Sequence, residues 1–359
     1  MRKYKVWFIT LLLLTACTPQ KQVLEDIELV GTVGYDYASK DLVEASAACP
    51  IVTGGSQQAT LENVVFSAKA HTSKSIRQEL QAQSPRPFGS GRIGVILFED
   101  KLAQKGITKI IDSLQRDPSV GRNIFLAVTE GKTKDMLTKK YVVNDIVPVY
   151  LKKLIEQNIN LTIPRTNFHH FNYSYYGNGS DPFMPLLAVS GKYIKITGLA
   201  LFDHSKYVDH ISFDDSIIFK FMYQDFRQGS HEFKMKNNRY LTLENLNSKV
   251  KYEYKDILGS PRLTMHIKIT GKVNDAAGLS LYKPQDITKI EKTIKKELDQ
   301  DAERLVKQFQ EKQIDPLGIG DRARSKVRNF TFKEWDQKYP TMPVTVSSEI
   351  NITQSGIVE

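Results

Sequence analysis

Residues 91–129 read GRIGVILFEDKLAQKGITKIIDSLQRDPSVGRNIFLAVT. Ile93 to Phe98 is a short apolar run with the length and β-branching of a buried strand. Leu102, Ile107, Ile110, Ile111 and Leu114 then recur at helical spacing until Asp117-Pro118 closes the pattern, and Asn123 to Thr129 reads as a second strand. Two strands joined by a helical crossover of this length form a parallel pair, almost always with a right-handed connection. The N-terminal part of the chain is therefore expected to be α/β.

Upstream, Leu29 to Tyr37 reads as a strand and Asn63 to Ala70 alternates like another. Thr72 or Ser73 can cap a short helix carrying Ile76 and Leu80. Gly89, Gly91 and Gly94 spell G-x-G-x-x-G, but a dinucleotide site needs a strand before the glycines and a helix N-terminus after them. Here Ser84-Pro85-Arg86-Pro87 precedes and a strand follows, so the glycines are read as shaping the turn.

Downstream, Asp145 to Asn158 is helix-like. NFHHFNYSYYGNGSD (167–181) is polar, aromatic and glycine-bearing and is read as a loop. KYIKITGLALFDHSKYVDHIS (192–212) reads as a hairpin turning at Asp203 to Lys206, and Asp214-Asp215 start a helix over SIIFKFMYQDF. In the last third, RYLTLE, KVKYEYKD and RLTMHIKITGKV alternate as antiparallel strands, with Leu263, Met265, Ile267 and Ile269 on one face. Pro284 to about Gln313 is one helix of roughly 45 Å with Ile287, Ile290, Ile294, Leu298, Ala302, Leu305 and Phe309 in a single stripe, suited to lie across a sheet. Seven basic and seven acidic residues balance it, which argues against a nucleic-acid arm or a membrane-surface helix. PVTVSSEINITQSG is expected to rejoin the sheet. The predicted fold class is α+β in three domains: 17–145 mixed α/β, 146–229 a smaller middle domain, and 230–359 an antiparallel sheet packed with one long helix.

Residues 1–16 are a basic patch (Arg2, Lys3, Lys5), nine apolar residues from Val6 to Leu14, and a small residue before Cys17. That is a secretory signal peptide, and nine residues are too few for the ~20 that a membrane-spanning helix needs. Leu14-Thr15-Ala16-Cys17 matches a bacterial lipobox, so Cys17 is predicted to carry a diacylglyceryl group as the new N-terminus. Loss of residues 1–16 lowers the formal charge from +10 to +7. With Cys17 acylated, Cys49 has no intramolecular partner and reads as a small buried apolar residue.

No trace of catalysis or metal binding emerges. His169, His170, His204 and His210 lack H-E-x-x-H or C-x-x-C spacing, and G-x-S-x-G and Walker loops are absent. Arg322, Arg324, Lys326 and Arg328 are locally basic and Phe330, Phe332 and Trp335 add aromatic character, but the basic residues are read as solvated side chains rather than a nucleic-acid platform. No catalytic, cofactor or metal residue is assigned.

Several blocks resemble the Ger(x)C family, the lipoprotein C subunits of nutrient germinant receptors in spore-forming bacteria. They are LTAC, QSPRP with VILFEDKLAQKGI, SLQRDPSVGRNIFLAVTEGKTKDML, KITGLALFDHSKYV, DPLGIGDRARSKVRNFTFKEWDQKYP and the terminal SGIVE. The resemblance runs over essentially the whole chain. It departs from the family at Cys17-Thr18-Pro19-Gln20, where members commonly carry Cys-Trp-Asp. It implies a three-domain α+β protein, lipid-anchored through Cys17 on the outer face of the inner spore membrane. It also implies work with integral-membrane A-type and B-type subunits and with a small nutrient germinant bound by the complex, and no enzymatic residue. The rival readings are an extracytoplasmic solute-binding lipoprotein, which should show two similar α/β lobes, and a hydrolase, which should show convergent titratable groups in a pocket.

Overall fold

A computed structural model describes residues 27–53, 60–275 and 283–355. The predicted signal peptide, Cys17 and the terminal GIVE lie outside the described residues. In chain order the strands are β1 (Glu28–Leu29), β2 (Thr32–Ser39), β3 (Leu42–Thr53), β4 (Thr60–Ala70), β5 (Phe88–Gly89), β6 (Val95–Glu99), β7 (Phe125–Thr129), β8 (Phe183–Ser190), β9 (Tyr193–Asp203), β10 (Lys206–Ser212), β11 (Ser230–Lys234), β12 (Tyr240–Lys255), β13 (Arg262–Asp275) and β14 (Val344–Ser355). The helices are α1 (Ser73–Gln81), α2 (Asp100–Lys105), α3 (Thr108–Arg116), α4 (Thr133–Thr138), α5 (Val147–Leu161), α6 (Phe168–Tyr176), α7 (Phe213–Tyr223), α8 (Pro284–Glu311), α9 (Ile319–Arg324) and α10 (Phe332–Lys338).

The α+β class holds. β6 and β7 pair in parallel, as their crossover requires, and β2 and β8 extend that parallel centre on either side. Antiparallel hairpins complete an eight-stranded sheet of order β10-β9-β8-β7-β6-β2-β3-β4. All five residues of β6 are buried, the mark of a parallel strand covered on both faces. One face carries α1 and α3, and the other carries α5 and α7. The sheet runs without a break from β2 to β10, so the segment 146–229 adds its strands to the same sheet as 17–145.

Three local readings need correction. The crossover is two helices, because Gly106 at φ +104° turns the chain between α2 and α3. The aromatic stretch after Asn167 is a helix, α6, because Phe168 and Phe171 are almost wholly buried and the Asn167 side chain caps it at the His170 amide. RYLTLE and KVKYEYKD are one strand, β12, whose alternation is interrupted by a bulge between Asn245 and Asn247.

In the C-terminal half the sheet order is β11-β12-β13-β14, with β14 parallel to β13. The predicted stripe of α8 is buried from Ile290 to Phe309. Its flank does a second job. Glu303 accepts the amide of Val346 (3.0 Å), Asp299 that of Ser348 (2.8 Å) and Glu291 that of Ile352 (3.0 Å). Four helical residues rise ~6 Å and two strand residues ~6.6 Å, so carboxylates spaced by fours and eights follow alternate amides of the strand. The free edge of β14 is thereby satisfied rather than left open to another strand.

Candidate functional site at the joint between the two halves

The two halves share one apolar core, in which Phe219 of α7 meets Phe309 of α8 edge-on at 5.8 Å. Beside it, the loop from α6 to β8 (Gly177 to Pro182) meets the loop after α8. Asp181 N–H donates to the Asp315 carbonyl and Asp315 N–H donates to the Asp181 carboxylate, both at 2.8 Å. The Asp315 carboxylate accepts the amides of Ile319 (2.9 Å) and Gly320 (2.7 Å), tying down the start of α9. Asp321 N–H then donates to the Gly179 carbonyl (2.9 Å), and the Tyr173 hydroxyl donates to the Asp321 carboxylate (2.7 Å). The backbone allows this approach only because Gly179, at φ +75°, has no side chain.

The DPLGIGDRAR block is thus the latch between the halves. Its Arg322 is half-buried. The guanidinium lies 4.5 Å over the Tyr252 ring and donates to the Tyr223 carbonyl at 3.1 Å, so the reading of it as a solvated cation is corrected. Arg324, Lys326 and Arg328 are exposed, as expected. Trp335 is buried and packs between Phe330 and Tyr339, whose hydroxyl donates to the Ile314 carbonyl (2.9 Å).

A cleft of about 390 Å³ opens over the latch, lined by Asp181, Asp203, His204, Lys312, Trp335 and Asp336 among others. Burial pushes Asp315 up to about 7 against the amides that favour its ionised form, and lifts Asp181 in the same direction. The hydrogen bond with Asp203 raises His204. Ligand atoms of Asp181, Asp203 and His204 lie within 4.8 Å of one another. Sequence spacing missed this cluster because Asp181 arrives from a different loop. Protein groups already engage it: His204 Nδ1 lies 2.8 Å from Asp203, and the Asp181 carboxylate accepts the His204 amide. The other histidines singled out in the sequence stand apart, His169 and His170 on α6 and His210 on the edge strand β10.

Because the folded protein favours protonated Asp315, this group's stabilisation is full below the ordinary carboxylate value of 3.8 and is lost as pH rises through about 7. The melting temperature of the wild type should therefore fall more steeply across this range than that of Asp315→Asn. Parallel slopes in thermal melts would contradict the assignment.

Two family models match the chain: the spore germination protein N-terminal domain over residues 20–189, and the spore germination B3/GerAC-like C-terminal domain over residues 197–356. Spore germination protein GerQC of Bacillus cereus is 30% identical over 100% of both chains. Spore germination protein KC of Bacillus subtilis is 20% identical over 97% of this chain and 94% of its own. Among solved structures, the crystal structure of the GerBC protein aligns with a TM-score of 0.61 at 16% identity, covering 90% of this chain and 97% of that one, and shows a shared fold. The chain belongs to the Ger(x)C family of spore germination proteins, the germinant-receptor C subunits.

Proposed function

We propose that this chain is the lipid-anchored C subunit of a nutrient germinant receptor on the outer face of the inner spore membrane. It works without chemistry of its own, alongside integral-membrane A-type and B-type subunits, and couples nutrient sensing to germination. The observation that carries this reading is the match of both family models, in order, across both halves of the chain. The physical content of coupling is the latch. Two halves that share one apolar core and are locked beside it through Asp181, Asp315 and Gly179 can pass a displacement from one to the other. The solute-binding alternative is not favoured, because an eight-stranded mixed sheet and a four-stranded sheet with one long helix are not two similar lobes.

No helix among the described residues is long and apolar enough to cross a membrane, so the anchor in this reading is Cys17. Cys17→Ala should leave the protein in the soluble fraction, because residual charge attraction is screened over ~8 Å at physiological salt. Fractionation decides it in a strain lacking the partner subunits. Full pelleting that survives a high-salt wash would contradict the anchor.

A further inference from the structure

On the face of the large sheet carrying α1 and α3, two cavities adjoin through Ser73, Lys74, Ile76 and Ser113. The inner is about 300 Å³ and the outer about 850 Å³. The inner floor is made by Tyr35 of β2 and by Ala45 and Ala47 of β3, whose small side chains leave the space between the two helices unfilled. Ile76, Leu80, Phe88 and Leu114 make apolar walls.

Tyr35 singles out this space. Tyr35 is 8% exposed and its ring stacks on Phe98 at 6.0 Å, and among the described residues its hydroxyl has no hydrogen-bond partner. The hydroxyl is not sealed among protein atoms, so a ligand atom in the cavity that Tyr35 lines can reach it. The charge around the groove is one-sided. Each nearby acid is engaged: Asp41 by Lys109 (3.3 Å), Asp117 by Arg77 (3.6 Å), and Asp112 by the Tyr176 hydroxyl (3.0 Å). Lys40, Lys74 and Arg116 line the outer cavity with no ion pair among the described residues. A largely apolar pocket with a few polar groups, here Tyr35, Ser113 and the Arg77–Asp117 pair, and a cationic mouth is the usual form of a small-ligand site.

We propose that this groove binds a small organic anion with an apolar body. The body sits in the inner cavity, a polar atom meets the Tyr35 hydroxyl, and the acid group meets Lys74 where the two cavities join. The site stands on its own geometry, whatever the receptor role of the chain.

The test is titration calorimetry on residues 17–359 with Cys17→Ser, using 3-(4-hydroxyphenyl)propionate, 3-phenylpropionate and the matching amine, tyramine. One-site saturable binding of both acids is expected, with tyramine at least ~10-fold weaker. Tyr35→Phe should weaken the hydroxylated acid ~5-fold and leave 3-phenylpropionate unchanged. Lys74→Glu, at an exposed position, should weaken both acids ~10-fold, and Ser113→Trp should remove binding by filling the throat, with melting temperatures of both variants near wild type. Absence of saturable binding overturns the proposal. So does tyramine binding as tightly as the acids, or either Lys74→Glu or Ser113→Trp binding like the wild type.

Discussion

Replacing Ile294 or Leu298 of α8 by Asp should destabilise the protein by ~4 kcal/mol or more, enough to unfold the C-terminal half at physiological temperature. Both side chains are fully buried in the stripe that joins the long helix to the core, and a carboxylate there has neither water nor a cation. Lys292→Asp and Lys296→Asp, on the exposed face, should change stability by no more than ~0.5 kcal/mol. Lys295 is not a neutral control. Its ammonium holds Asp299, which accepts the Ser348 amide at the edge of β14, so Lys295→Asp would set two carboxylates side by side. Thermal and denaturant melts check the order. Equal losses at positions 294, 292 and 296 would mean that the helix does not lie as described.

The second large effect belongs to the latch. At Gly179 an added Cβ would stand 2.4 Å from Phe332 Cε1, 2.7 Å from the Asp321 amide nitrogen and 2.8 Å from the Gly320 carbonyl carbon. Two of those neighbours are backbone and cannot rotate away. A non-glycine residue at φ +75° also carries ~1–2 kcal/mol of its own strain. Gly179→Val is therefore expected to cost ~3 kcal/mol or more in all, and to part the two loops rather than empty the shared core. Hydrogen exchange should show the amides of Ile319, Gly320 and Asp321 losing protection while β6 and β7 keep theirs. If the latch couples the halves, spores carrying this variant hold the protein at the membrane and respond poorly to nutrient. Unchanged protection at 319–321 would show that the loops are not locked together.

What could be read from the sequence follows from what each element depends on. The β6 to β7 crossover and the α8 stripe are periodic over long windows, and one buried face decides each. The break at Gly106 was hidden because the apolar spacing continues across it, while only the backbone φ ends the helix. Phe168 and Phe171 looked like loop aromatics because their burial depends on distant strands such as β9, where Phe202 packs edge-on against Phe171 at 5.7 Å. The latch was invisible for the same reason. Asp181 and Asp315 are 134 residues apart, and nothing in the spacing of either pairs them. DPLGIGDRAR was legible as a family block, and its Asp315 and Gly320 acquire a physical role only once the loop before β8 brings in Asp181. Tyr35 reads as an ordinary strand aromatic; its unpartnered hydroxyl follows from the small Ala45 and Ala47 beside it and the gap between α1 and α3.

The central claim is that this chain acts at the sensing step of germination. It is tested most directly by deleting the gene in a strain that keeps a single receptor operon and measuring germination with every nutrient class. Calcium dipicolinate serves as a trigger that acts downstream of the receptors. The account predicts that the nutrient response is lost or falls sharply while the downstream response is intact, and that a wild-type copy restores the nutrient response. Normal nutrient germination without this protein would contradict it, and a preserved nutrient response with a lost downstream response would place the protein among the later lytic steps instead.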